Sequence, residues 1–512
     1  MPTGEVTANW VLDPRGSWTN AHDNFTARNL DGVYLLANPP ALRPSEAYLD
    51  TAEAIQTLIR QARGVRELRP VGSGWSLSPL VATDGRLLNN KNLKLHFRFT
   101  DQRQFDPAFT GRPGHIHCFQ AGTTVKAISR VLEQQKLSLP TSGASNGQTI
   151  AGAIATGTHG AAISFGAMQE FVVGLHLATG KTSTVWLERA SRPVLSEAMV
   201  GLFGASLVRS DELFDAALVG LGACGMLLSV TIEAVPRYLL EVHTKRLPLD
   251  AALQRAMTTA DFRGLPLGRP QDAPYVASMI VNPHRAGSAY LTLMYQRPYR
   301  DDYVRHDFTE PDSALGDDAL NFMSDILDSI PVVSTMALPP LIDRQIEDRF
   351  EEVAGVEGLH SEVFPATKIR GKVTSSGVAV AAADAVRTLQ LVLDAHAEAG
   401  PFAGVLGIRY VKGTRATLGF TRFPQTCVIE TDGVANEQAR DFNTAVWRTM
   451  ERSGIPYTLH WGKVNNLTAR RVRAMYGDER VDRWRRAREE LVPPAARPVF
   501  SSSYLRKLGL SD

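Results

Sequence analysis

The chain has 512 residues, 44% of them apolar and 21% charged, which excludes a collagen-like or largely disordered protein. Its 55 Lys and Arg nearly balance 53 Asp and Glu, for a net charge of +2, so no broad basic field for nucleic acid or anionic membrane is expected. Cys118, Cys224 and Cys427 are far apart and form no CxxC pair, which argues against a zinc site or disulfide framework and fits a reducing compartment.

The first residues, MPTGEVTANWVLDPRG, carry neither a basic n-region nor an apolar h-region. No run of about 18 apolar residues is present to span a bilayer. The expectation is a cytoplasmic protein with neither a membrane nor a nucleic-acid partner, and the length predicts about two to four domains.

The first half reads as alternating strands and helices. Asp50 and Glu53 form a D-x-x-E helix start, and Ile55, Leu58, Ile59 and Ala62 follow at helical spacing. Gly64 ends that helix and residues 65–71 read as a strand. A second helix is predicted over 124–137, with Val125, Ile128 and Leu132 on one face. Strands follow at 171–178 and 227–235. Beyond Pro236 the pattern changes: 275–281 and 289–296 form a hairpin, 301–352 is acidic and partly helical, and 405–411, 416–421 and 427–431 read as strands. Helices are predicted at 383–397 and 436–452. The arginine-rich run 470–490 also carries acids and reads as solvated helices. Hairpins mixed with helices predict an α+β second domain.

Three glycine-rich segments stand out in the first half: RPVGSGWS (69–76), GASNGQTIAGAIATGTHG (143–160) and LGACGM (221–226). Glycine permits close main-chain approach, and successive N–H groups in such turns form anion-binding nests. The spacing fits neither G-x-G-x-x-G nor a GK[ST] P-loop, so a Rossmann or Walker site is disfavoured. A large phosphate-bearing cofactor held by several loops remains compatible.

These segments, together with LPTSGASNGQTIAGAIATGTHG and LGACGMLLSVTIEAVP, resemble the FAD-binding domain of the vanillyl-alcohol oxidase superfamily, nearest the sugar-lactone and alditol oxidases. HWGK at 460–463 is similar to their C-terminal HWGK or HWAK segment. The resemblance covers residues 40–236 strongly and about the last 55 well, with a looser middle. It implies an α+β, two-domain flavoprotein of the PCMH-type FAD-binding fold, with a cap domain built on an antiparallel sheet flanked by helices. The expected division is residues 1–238 for FAD, 239–458 for the substrate-binding cap, and 459–512 packing back on the FAD domain.

By the same resemblance, Val71, Gly72, Ser73, Gly74, Trp75 and Ser76 wrap the pyrophosphate. Gly143, Ala144, Thr149, Gly152, Ala153, Ala155 and Thr156 line the flavin and ribityl chain, with Gly225 and Met226 closing the site. His159 either bonds near the flavin or is a satisfied core histidine. Trp75 stands where most related oxidases carry the flavin-linking histidine, so dissociable FAD is expected. Its indole either packs near the dimethylbenzene end or fills space in the loop. Glycine at 143 implies oxygen access.

Arg409 matches the arginine of the E-x-R pair of alditol-type oxidases, while Gly407 replaces the acid. Arg409 and Lys463 are expected to stabilise charge on the reduced flavin, and His460, with a near-neutral pKa, to accept a proton. Without the acid at 407, a less polar substrate than a polyol is expected. Glu362 and Glu430 are further candidate bases. No metal site is expected.

The implied function is an FAD-dependent oxidase acting on a CH–OH-type small organic substrate with O2 as acceptor. The alternatives are a flavin dehydrogenase or oxidative cyclase using another acceptor, and a binding protein without redox turnover.

Overall fold

The computed structural model describes residues 9–305, 338–349, 352–365 and 372–512. Most of the acidic stretch expected over 301–352 therefore lies outside the described residues; within it, Leu338–Arg349 is helical.

The first sheet holds β1 (Trp10–Asp13), β2 (Val33–Leu36), β3 (Leu68–Val71) and β4 (Arg86–Asn89), in the order β1-β2-β4-β3. β2, β4 and β3 run parallel, with helix α1 (Pro44–Ala62) as the crossover. The helix starts at Pro44 rather than at Asp50. Proline suits the first helical position, and the Glu46 carboxylate accepts the Arg43 N–H at 3.4 Å.

The second sheet holds β5 (His96–Phe99), β6 (Ile116–Gln120), β7 (Val172–Ala178), β8 (Thr184–Glu188), β9 (Ala205–Arg209) and β10 (Met226–Glu233), in the order β9-β8-β7-β10-β6-β5. Its neighbours are antiparallel except β8 and β9. β7 is buried along its whole length and β10 along all but its last residue, which matches their near-continuous apolar sequence. Helix α2 (Val125–Gln134) begins where Thr124 Oγ1 accepts the Ala127 N–H at 3.3 Å. The short helix α3 (Ile150–Ala155) forms within the second glycine-rich segment, and α4 (Asp211–Leu218) precedes the third.

The second domain is built on eight antiparallel strands: β11 (Tyr238–Pro248), β12 (Val276–Val281), β13 (Ser288–Pro298), β14 (Val353–Leu359), β15 (Val373–Ala381), β16 (Gly404–Lys412), β17 (Gln425–Val434) and β18 (Tyr457–Leu459). Their order is β14-β11-β13-β12-β16-β17-β15-β18. Helices α5 (Ala385–Ala399) and α6 (Glu437–Arg452) pack together beside it, burying Leu389, Val392, Phe442 and Val446. The strand expected at 416–421 is a loop. Thr414 N–H donates to Thr421 O, and Thr417 N–H leaves the sheet to donate to Asp215 O. The carbonyl of Leu418 then receives the Trp461 indole N–H at 2.7 Å.

The C-terminal helices α7 (Ala469–Tyr476) and α8 (Asp478–Leu491) lead the chain back to the first half. Trp484 Nε1 donates to Ala216 O at 3.0 Å, and Leu68 N–H donates to Val499 O at 2.7 Å. Arg69 ties these parts together. Its buried guanidinium donates to the carbonyls of Leu80, Leu221, Gly222 and Phe500. Burial lowers Arg69 to about 10, so it stays charged at neutral pH. Among the described residues no helix is long and apolar enough to cross a membrane.

Arg69→Met keeps the apolar stem and strands four carbonyls. We expect it to lower unfolding stability by about 3 kcal/mol or more in urea titration, since each buried carbonyl left unpaired costs about 1–3 kcal/mol.

Candidate cofactor and active site

The three glycine-rich segments converge on one cavity of about 1650 Å³, counting the part open to solvent. Its wall includes Val71, the last residue of β3, and Gly72, Ser73, Gly74, Trp75 and Ser76 from the loop that follows. The second segment contributes Gly143, Ala144, Thr149, Gly152, Ala153, Ala155, Thr156 and His159, and the third contributes Gly225. Met226 departs from the expected set. As the first residue of β10 it pairs with Ala178 and is buried in the core, so it does not reach the wall.

The loop geometry explains the residue types. Gly74 has φ +73°, and a Cβ there would lie 2.8 Å from the Trp18 ring. The Trp75 indole lies flat enough against Gly147 that a Cβ at 147 would run into its Cζ2. His22 meets the Trp75 ring edge to face at 5.4 Å. Trp75 thus packs against both a glycine and a histidine while still lining the cavity.

Three buried polar atoms on this wall have no hydrogen-bond partner among the described residues: His22 Nδ1, Asn90 Oδ1 and Asp432 Oδ1. Buried polar atoms are nearly always paired, so a polar ligand is the natural source of partners. Main-chain loops, small side chains, aromatic edges and orphaned polar atoms fit a ligand with phosphate, ribityl and ring parts. The residues present therefore fit FAD. Burial lowers His22 to about 4, which leaves its ring neutral.

The part of the wall built by the sheet of the second domain is charged. Neighbouring strands β16 and β17 pair Gly407 with Glu430 and Val405 with Asp432, so Arg409, Glu430 and Asp432 share one face. Glu430 has no exposed surface. Its Oε2 accepts from Arg409 Nη1 and its Oε1 from Lys463 Nζ, and His159 Nε2 lies 3.5 Å from Oε1. Lys463 Nζ also stands 3.7 Å from Asp432 Oδ1.

Burial alone would raise the Glu430 carboxyl, but Arg409 and Lys463 more than offset this and hold it well below the usual carboxylate range. Burial pushes the Asp432 carboxyl up; Lys463 opposes that shift and the Glu430 charge adds to it. His460 does not have the near-neutral pKa expected of it. Burial first, then the nearby His159 and Lys463, lower it far below the ordinary value. Its Nδ1 already accepts the Gly462 N–H at 2.9 Å.

Glu430 sits directly across from Gly407 on the adjacent strand. A Cβ at 407 would come within 3.3 Å of Asp432 Oδ2 and 3.6 Å of Glu430 Oε2. Gly377, across from Glu430 on β15, leaves the room taken by the Lys463 and His460 side chains. The cavity is therefore charged at this end, where Arg409, Glu430, Asp432 and Lys463 line it. Glu362 does not join it: its carboxylate accepts from the Leu359 N–H and the Tyr303 hydroxyl. Sequence reasoning missed Asp432, His22 and Asn90. The one available signal for Asp432 was its i, i+2 spacing from Glu430 on a strand.

Residues 46–188 match the family described as FAD binding domain. Over 227 residues the chain is 29% identical to an L-gulono-1,4-lactone dehydrogenase of Mycobacterium tuberculosis, covering 44% of this chain and 45% of that protein. It is 26% identical over 219 residues to a D-arabinono-1,4-lactone oxidase of Kluyveromyces lactis, covering 43% of this chain and 36% of the relative. It is 32% identical over 204 residues to a long-chain alcohol oxidase of an uncultured marine euryarchaeote, covering 40% and 36%. The chain spans less than half the length of these relatives. Among solved structures, cholesterol oxidase from Brevibacterium sterolicum superposes with a TM-score of 0.68 at 16% identity, covering 98% of both chains. The fold is thus that of the superposed cholesterol oxidase. Residues 46–188 of this chain match an FAD-binding domain, and FAD is the cofactor that such a domain binds.

Glu430→Gln leaves two buried cations facing one carboxylate. We expect a loss of about 3–5 kcal/mol at pH 7, the usual cost of breaking a buried pair. A carboxylate whose folded pKa is depressed contributes fully above its unfolded value of about 4.3 and loses that contribution as pH falls below it. The gap between the two proteins in urea denaturation should therefore narrow below about pH 4.

Proposed function

We propose that the chain is an FAD-dependent oxidoreductase, and specifically an oxidase acting on a CH–OH group of a small polar organic substrate. The observation that carries this reading is the meeting, in one cavity, of a main-chain cradle and a buried Arg409–Glu430–Lys463–Asp432 cluster. Bound FAD supplies a two-electron acceptor for hydride from a C–H bond and delivers the electrons to O2.

In this reading the loop 71–76 holds the pyrophosphate through backbone N–H groups, and residues 143–156 lie along the flavin and ribityl chain. Gly225 closes the third side. Arg409 and Lys463 place fixed positive charge where negative charge develops, and Glu430 holds both cations in register. His460, neutral, orients the loop that carries Lys463 through its bond to the Gly462 N–H. Gly143 lines the cavity without a side chain, which in this reading leaves room for O2.

FAD is held without a covalent bond, because the loop position that resembles the linking histidine is Trp75. Residues 1–238 form the FAD unit, 239–458 the substrate cap, and 459–512 a segment returning to the FAD unit. Three buried cysteines that form no disulfide support a cytoplasmic location.

A second reading, a dehydrogenase using another acceptor, is favoured by the likeness to the L-gulono-1,4-lactone dehydrogenase. Rapid-mixing spectroscopy separates the two. An oxidase is bleached anaerobically by a hydroxylated substrate and recovers its visible absorbance quickly in air-saturated buffer. Slow recovery in air, with fast recovery on adding a quinone or dye, supports the dehydrogenase instead. Trichloroacetic acid should release the yellow cofactor into the supernatant; colour retained in the pellet contradicts dissociable binding.

A further inference from the structure

We propose that Asp432 is the catalytic base, the group that takes the proton from the substrate's reacting hydroxyl. This assignment rests on the oxidoreductase reading above and deepens it by naming a residue for proton transfer.

The cavity offers few candidates. Glu430 is ion-paired through both oxygens, Oε2 with Arg409 and Oε1 with Lys463, and these cations hold it well below the usual carboxylate range, so it has little basicity. His460 gives its Nδ1 lone pair to the Gly462 N–H and is held neutral by burial. His22 packs on Trp75, on the wall formed by the first loop rather than by the sheet.

Asp432 differs from all three. It is 1% exposed, lines the cavity, and leaves Oδ1 without a hydrogen-bond partner among the described residues. Oδ1 faces the Lys463 ammonium at 3.7 Å, beyond hydrogen-bond range, and so keeps capacity to accept a substrate O–H. Its surroundings suit the task. Glu430 lies on its own strand, Arg409 and the side-chain-free Gly407 on β16, and Ser375 on β15. Lys463 and His460 approach from the loop after β18, and His159 from the FAD side. Burial and the Glu430 charge raise Asp432, while Lys463, 3.7 Å away, keeps the ionised form accessible. A base whose pKa is moved toward the working pH is the more effective one.

The step balances as follows. The substrate O–H bond breaks and its proton bonds to Asp432 Oδ1. The electron pair left on oxygen closes a C=O double bond. The C–H bond breaks at the same carbon, and its hydrogen leaves with both electrons to the bound FAD. Asp432 returns its proton to solvent or to the peroxide product after O2 takes the two electrons.

The test uses the FAD-loaded protein and five probes: xylitol, D-sorbitol, L-gulono-1,4-lactone, D-arabinono-1,4-lactone and 1-octanol. Anaerobic bleaching is followed from pH 5 to 9 in wild type, Asp432→Asn and Asp432→Glu. With the fastest probe, wild type should bleach faster as pH rises through one ionisation and then level off. Asp432→Asn should bleach about 10²–10⁴-fold more slowly, lose that ionisation, and keep its half-saturating probe concentration within about threefold. Asp432→Glu should restore the ionisation.

A second readout needs no substrate. Acidification should bring up a protonated-carboxyl infrared band in wild type, above the ordinary aspartate range of about 3.9, that Asp432→Asn lacks. Equal bleaching rates and pH profiles in wild type and Asp432→Asn, or an unchanged infrared band, overturn the assignment alone. Failure of all five probes to bleach wild type overturns the oxidoreductase reading and this assignment with it.

Discussion

A carboxylate with no exposed surface is stable only if its charge is answered at close range. Glu430 meets that condition with two cations from separate parts of the chain: Arg409 on the neighbouring strand and Lys463 beyond the last strand of the sheet. Asp432 lies beside the same Lys463, so cations and carboxylates alternate along this part of the cavity wall. The glycines across from Glu430, at 377 and 407, leave the space in which these long side chains meet. Because His159 also faces Glu430, the same cluster joins the sheet of the second domain to the glycine-rich segment of the first.

The cradle on the other wall depends on a second buried charge. Arg69 holds the strand before the first loop, the carbonyls of the third glycine-rich segment and the C-terminal return in one arrangement. The C-terminal return matters because the loop before it carries Lys463. Ser78, just after the first loop, donates to the Trp461 carbonyl at 2.6 Å. The charged wall and the cradle are thus coupled through hydrogen bonds between segments distant in sequence. One rigid cavity, with loops on one side and a sheet on the other, follows from these long-range ties.

What the sequence discloses and what it hides divide along the same line. Glycine requirements are local, so the three loops are legible without coordinates, as are the helix read over 124–137 and the strands read at 171–178 and 227–235, which form at 125–134, 172–178 and 226–233. So are Arg409 and Lys463, which stand in motifs. The role of Glu430 is not legible, because it depends on the register of β16 against β17, and a one-residue slip would turn it to the other face. Asp432 is hidden for the same reason. The run ATLGFT at 416–421 has the alternation of a strand, yet its backbone bonds go to Asp215 and to the C-terminal segment, and tertiary partners override its pattern. His460 illustrates burial overriding residue type: an imidazole with an ordinary pKa near neutrality becomes a neutral structural acceptor once desolvated beside cations.

The central claim is that the three backbone loops form a single cradle for one FAD. Titration of cofactor-free protein with FAD, followed by tryptophan fluorescence, tests it most directly, since Trp18 and Trp75 both line the cavity. The account predicts saturable quenching at one FAD per chain, and a large loss of affinity in Gly147→Val, which drives a side chain into the Trp75 ring. No saturable quenching, or undiminished affinity in that variant, would contradict it.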